Sequence, residues 1–136
     1  MSFRPKLFDS GKVRSLPLAA SVVATKHSLL KFSLGYLTNA AAGDDEVGYL
    51  ALQTVTGGAT DGSVSCLVIP CDDAVVFVAL TGTTPVQATH VGNDYDLGSA
   101  AALDLTATTD KVFHIDRIIN AADLLVEGRF NKPAIA

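Results

Sequence analysis

Residues Val64 to Leu80 constrain the fold more than any other stretch. Two short apolar runs, Val64-Ser65-Cys66-Leu67-Val68-Ile69 and Ala74-Val75-Val76-Phe77-Val78-Ala79-Leu80, flank Pro70-Cys71-Asp72-Asp73. Neither run is long enough for an ordinary helix, and their β-branched side chains suit the pleated surface of a strand. A proline beside two acids reads as a turn. The stretch predicts a buried hairpin at the middle of an all-β core.

The flanking sequence extends the pattern. Leu30, Phe32 and Leu34 alternate with Lys31 and Ser33, and Leu124, Val126, Gly128 and Phe130 alternate with Leu125, Glu127 and Arg129. That period of two marks half-buried strands. Strands are also predicted at Ser21–Thr25, Val47–Thr56, Val86–Val91 and Val112–Ile119, and Gly35 marks a bulge or tight bend. Ala100 to Leu103 has room for one helical turn. Gly/Asp/Thr-rich turns at roughly ten-residue spacing indicate a single small β-barrel or sandwich. With 136 residues, 49% of them apolar and 18% charged, the chain suffices for one packed domain. Residues 15–136 are assigned to that domain. Residues 1–14, where Phe3, Arg4, Pro5, Lys6, Phe8, Lys12 and Arg14 mix basic, aromatic and proline positions, are assigned to an extended arm that orders on a partner.

Charge is segregated. The net charge is −4, yet Arg4, Lys6, Lys12, Arg14, Lys26 and Lys31 all precede Phe32, and no Lys or Arg occurs from there to Asp110. That middle holds Asp44, Asp45, Glu46, Asp61, Asp72, Asp73, Asp94, Asp96, Asp104 and Asp110; Lys111, Arg117, Arg129 and Lys132 follow it. An acidic middle argues against wrapping nucleic acid, whereas a basic arm suits an acidic protein surface. No secretory h-region with a cleavage site is present, and no apolar run approaches a membrane span.

Chemistry-bearing motifs are sparse. Cys66 and Cys71 flank the Pro70 bend as C-x4-C without a second pair; they read as buried thiols, with a disulfide across the bend as the alternative and zinc as a remote third. His27, His90 and His114 fall on separate strands or turns, with no G-x-S-x-G or H-E-x-x-H motif beside them. Asn93, Asp94 and Asp96 cluster oxygen ligands, but the EF-hand glycine and glutamate are missing, so an Asx-rich turn is expected in place of calcium. Gly57-Gly58 lacks the Lys-Ser/Thr of a phosphate loop. No catalytic residue, metal or cofactor is assigned.

Three stretches give the chain a resemblance to the head-decoration, or capsid cement, proteins of tailed bacteriophages: Leu16-Pro17-Leu18-Ala19-Ala20 through Leu34-Gly35-Tyr36-Leu37, Val64 to Leu80, and Val91-Gly92-Asn93-Asp94-Tyr95-Asp96-Leu97 through the Val112-to-Phe130 hairpin. The resemblance implies a non-enzymatic virion protein, made in the host cytoplasm, that binds the outer capsid surface and stabilises the head by bridging major capsid protein subunits. It also implies a homo-oligomer, a trimer before other forms. Phe3 and Phe8 are then the expected apolar anchors of the arm, and Arg4, Lys6, Lys12 and Arg14 the partners of capsid acids. Deleting residues 2–14 should then abolish docking and leave the domain folded. Two other functions compete: a soluble ligand-binding or enzymatic β-barrel using His90, Asp94 and Asp96 on one rim, and a tail or head-completion protein.

Overall fold

The apolar runs do become strands, arranged in two antiparallel sheets. The structure, a computed structural model, describes residues 3–7, 12–44, 47–71 and 75–131. In chain order the strands are β1 (Arg4–Leu7), β2 (Arg14–Pro17), β3 (Val23–Ala24), β4 (Leu29–Ser33), β5 (Tyr36–Asn39), β6 (Tyr49–Ala51), β7 (Val55–Thr56), β8 (Ser65–Pro70) and β9 (Val76–Leu80). A single helical turn, α1 (Gln87–His90), precedes β10 (Asp94–Ser99), β11 (Ala102–Asp104), β12 (Phe113–Asn120) and β13 (Leu125–Phe130). One sheet has the order β1-β9-β13-β12-β10-β11, the other β2-β8-β6-β4-β5, and β3 with β7 forms a small separate ribbon.

The chain is all-β, a sandwich of two curled sheets that stop short of closed barrels. In the five-stranded sheet an isolated bridge joins Leu18 to Leu37, so its two ends approach at one corner; in the six-stranded sheet a bridge from Thr81, just after β9, to Leu103 of β11 curls the sheet in the same way. Leu29, Leu50 and Ile69 of the smaller sheet pack against Phe77, Phe113, Ile115, Val126 and Phe130 of the larger one. A second cluster, Leu18, Leu30, Leu37, Ala51, Cys66 and Val68, fills the curl of the smaller sheet, with Val22 and Val55 packed against it.

Val64 to Leu80 does not form the expected hairpin. β8 lies between β2 and β6, and β9 lies between β1 and β13, so the chain crosses from one sheet to the other after Pro70. Both runs are apolar on both faces, and such strands are best satisfied as interior members of two sheets. Paired only with each other, each would leave one ladder edge open.

The arm is also corrected where it is described. β1 pairs antiparallel with β9 through Arg4↔Val78 and Pro5↔Phe77, and Phe3 is fully buried. Its ring packs on Phe113 at 6.1 Å and Phe130 at 5.7 Å. Burying such a ring is worth roughly 1.5–3 kcal/mol, which orders the segment on its own molecule with no partner needed. Arg14 opens β2 in the other sheet, paired with Val68.

Smaller differences have local causes. Val86–Val91 contains α1 in place of a strand, because His90 N–H donates to the Val86 carbonyl at 2.8 Å while Val86 N–H donates to His90 Nδ1 at 2.8 Å. Leu29 to Asn39 is a hairpin whose two-residue turn, Leu34 (φ 52) and Gly35 (φ 88), keeps both residues left-handed, as a type I′ turn requires. Val47–Thr56 breaks at Leu52-Gln53 into β6 and β7. Ala102–Asp104 is a strand paired with β10, where a helical turn is allowed by composition alone.

Candidate functional site

Strand alternation writes a charged face onto the outside of the six-stranded sheet. Along β13, Val126, Gly128 and Phe130 are buried, which turns Glu127 and Arg129 outward. A Cβ at Gly128 would run into the His114 carbonyl oxygen, so glycine lets β12 and β13 approach closely there. On β12, Phe113 and Ile115 point inward and His114 outward. The register then shifts between Ile115 and Arg117, leaving Asp116 as a bulge. Without that bulge Asp116 would stand opposite Glu127, two like charges; with it, Arg117 stands there.

One row consequently crosses four strands: Arg4 on β1 pairs with Val78 on β9, Val78 with Glu127 on β13, and Glu127 with Arg117 on β12. Lys6 Nζ reaches Glu127 Oε1 at 2.6 Å, and Arg117 Nε–H donates to Glu127 Oε2 at 3.1 Å. These two cations, Lys6 first, hold the Glu127 carboxyl below the usual glutamate range. The neighbouring row runs Arg129–His114–Asp94. There His114 Nδ1 and Asp94 Oδ1 are in hydrogen-bond contact at 2.5 Å, His114 Nε2 lies 3.7 Å from Asp116 Oδ1, and Arg129 Nε lies 3.9 Å from Asp116 Oδ2.

Among the described residues, two depressions mark this face. A groove of about 300 Å³ is lined by Arg4, Pro5, Lys6, Val78, Arg117 and Ile119. A cleft of about 450 Å³ is lined by Gly92, Asn93, Asp94, Tyr95, Thr108, Lys111 and His114.

Of the residues expected to dock, Arg4 and Lys6 lie together in the groove. Phe3 is a core residue and offers no surface. Arg14 is exposed on the other sheet, with Nη1–H donating to the Val13 carbonyl at 3.2 Å. Lys12 is half-buried ahead of β2, and Phe8 lies outside the described residues. Arg117, Arg129 and Glu127 complete the face. Their only signal in the sequence is the return of basic residues near the C-terminal end, which nothing there connects to Arg4 and Lys6.

His90, Asp94 and Asp96 have separate engagements. His90 caps α1 and packs its ring on Tyr95 at 5.5 Å. Asp94 faces His114. Asp96 is buried, and its carboxylate accepts backbone N–H groups from Thr109 at 3.2 Å, Asp110 at 2.8 Å and Lys111 at 2.8 Å. That clasp folds the 109–111 loop over β10. Only Asp94 of the three lines the cleft. Cys66 and Cys71 are free thiols in different clusters, and burial pushes both up, Cys71 well above the ordinary range. His27 sits in a left-handed turn, and burial, then Lys26 and Arg4, lower its pKa. No group of three or more His, Cys, Asp or Glu able to hold a metal ion occurs among the described residues. No helix among them is long and apolar enough to cross a membrane.

Compared with protein-family models, curated proteins and solved structures, the chain matches none. The face itself therefore carries the functional argument. It presents cations and carboxylates at hydrogen-bonding separation on a rigid sheet, an arrangement suited to recognising a charged protein surface.

Proposed function

We propose that this chain is a non-enzymatic structural protein of a virion, binding the outer capsid surface through the charged face of its six-stranded sheet. It stabilises the head there by bridging major capsid subunits, as a homo-oligomer. The observation that carries the reading is convergence: Arg4 and Lys6 from one end of the chain and Arg117 and Arg129 from the other share one face of an otherwise acidic molecule. Such a face steers association with an acidic surface and fixes its register.

The test is gradient sedimentation of a lysate from the native source, with mass spectrometry locating the chain. It should travel with intact particles, in copy number comparable to the major shell protein. A chain that stays at the top as a small soluble species overturns the reading. Deleting residues 2–14 is unsuitable for the follow-up, because it removes Phe3 from the core. Charge reversal at Arg4 and Arg117 is the appropriate variant, and it should release the chain from particles while leaving its unfolding cooperative.

A further inference from the structure

We infer that the groove lined by Arg4, Lys6, Val78, Arg117 and Ile119 takes an acidic segment of another protein that carries an apolar side chain beside its carboxylate, a proposal that rests on the docking role given to this face above. Three cations, Arg4, Lys6 and Arg117, face one carboxylate, Glu127, so the groove keeps a local charge of 3 − 1 = +2 after its internal pairs are made. Arg4 makes no ion pair among the described residues. Val78 forms a buried floor, and Ile119 is 37% exposed at the wall. The ligand that matches is anionic and amphipathic.

Glu127 decides among anions. Its side chain is 13% exposed between Lys6 and Arg117, so a dense polyphosphate would bring several charges against a carboxylate already in place. Single carboxylates spaced along a peptide avoid that repulsion and still reach Arg4 and the outer N–H groups of Arg117. The apolar floor adds what a phosphate cannot use. β1 contributes side chains more than backbone here, because Pro5 has no N–H to offer an incoming strand and the ladder is irregular beside it.

The experiment titrates the ¹⁵N-labelled full chain with the acetylated hexapeptide Glu-Leu-Asp-Val-Glu-Leu at low salt. Backbone amide shifts should concentrate at Arg4, Lys6 and residues 77–79, 117–120 and 126–128 and fade with added salt. The double variant Arg4→Ala/Arg117→Ala should weaken binding about tenfold, the sum of two exposed charge pairs. Ile119→Ser should weaken the hexapeptide and leave an all-glutamate peptide unchanged. Equal binding of a lysine-for-acid peptide, stronger binding of inorganic polyphosphate, or shifts centred on the Asp94–His114 cleft would overturn the assignment. So would groove shifts that grow with protein concentration alone, since a second copy would then be the occupant. Particle sedimentation separates the two proposals. If the chain travels with particles but the hexapeptide fails to bind, the groove assignment falls and the capsid role stands; if the hexapeptide binds but the chain stays off particles, the reverse holds.

Discussion

Replacing Phe3 with alanine tests whether the N-terminal segment belongs to the fold. Phe3 is fully buried, with its ring 6.1 Å from Phe113 and 5.7 Å from Phe130. Truncating a core phenylalanine costs about 3–5 kcal/mol, of which the aromatic pairings are roughly 0.5–1.5 kcal/mol each. The lower half of that range applies, because β1 is a four-residue edge strand and its detachment limits the strain left behind. A loss of about 3 kcal/mol is a large part of the roughly 5–15 kcal/mol that holds a domain together. Urea unfolding reads it directly: with a slope near 2 kcal/mol/M, the midpoint falls by about 1.5 M at unchanged slope. Arg4→Ala, next in sequence and exposed, is the control and should stay within about 0.5 kcal/mol. If Phe3→Ala cost less than about 1 kcal/mol, β1 would not be docked in solution and the face described above would lose Arg4 and Lys6.

Four further outcomes are expected. Leu34 is 97% exposed and holds a left-handed turn position that asparagine tolerates better, so Leu34→Asn should raise stability by about 0.5–1 kcal/mol, read as a higher melting temperature. Because Lys6 and Arg117 lower the folded-state pKa of Glu127, its contribution is present above the unfolded value of 4.5 and lost as pH falls through the folded value. Glu127→Gln should thus cost under about 1 kcal/mol at neutral pH, with the gap in urea midpoints closing on acidification. Cys66 and Cys71, both buried with raised pKa, should stay silent to a thiol-reactive dye in the native protein and react after denaturation; rapid native labelling would contradict their packing. Deleting Asp116 removes the bulge but keeps Ile115 opposite Gly128 and Arg117 opposite Glu127, so it should cost only about 1 kcal/mol and leave unfolding cooperative.

Local pattern made the two central strands of the larger sheet, β13 and β12, legible. The alternation from Leu124 to Phe130 predicts which residues β13 buries, and Asn120 to Asp123 is the turn joining it to β12. Partner choice was not legible. Val64 to Leu80 reads as a hairpin because its halves are adjacent and equally apolar, yet an interior strand carries no mark of which neighbour it takes. Phe3, Pro5 and Leu7 do alternate with Arg4 and Lys6, but five residues beside Pro and Gly are too few to establish a period. The Lys6–Glu127 pair joins residues 121 apart, a contact that only the docking of β1 on β9 creates. Asp96 looks like any acid in a turn until the 109–111 loop folds onto it.

Asp96 and Glu127 show two uses of a carboxylate in one sheet. Asp96 is buried and satisfied by three backbone N–H groups, and removing it would orphan those donors, so it belongs to the fold. Glu127 pairs near the surface, where an ion pair is worth about 0–1 kcal/mol, so stability gives little reason for its arrangement. Register gives a stronger one. The Asp116 bulge exchanges an Asp116–Glu127 repulsion for an Arg117–Glu127 attraction, and Lys6 bonds the same carboxylate from the other side. Pairs this weak would break at little cost to an arriving carboxylate, and the excess positive charge would remain to meet it. A face whose internal pairs are cheap to exchange and whose net charge opposes that of the whole chain is suited to recognition more than to holding the sheet together.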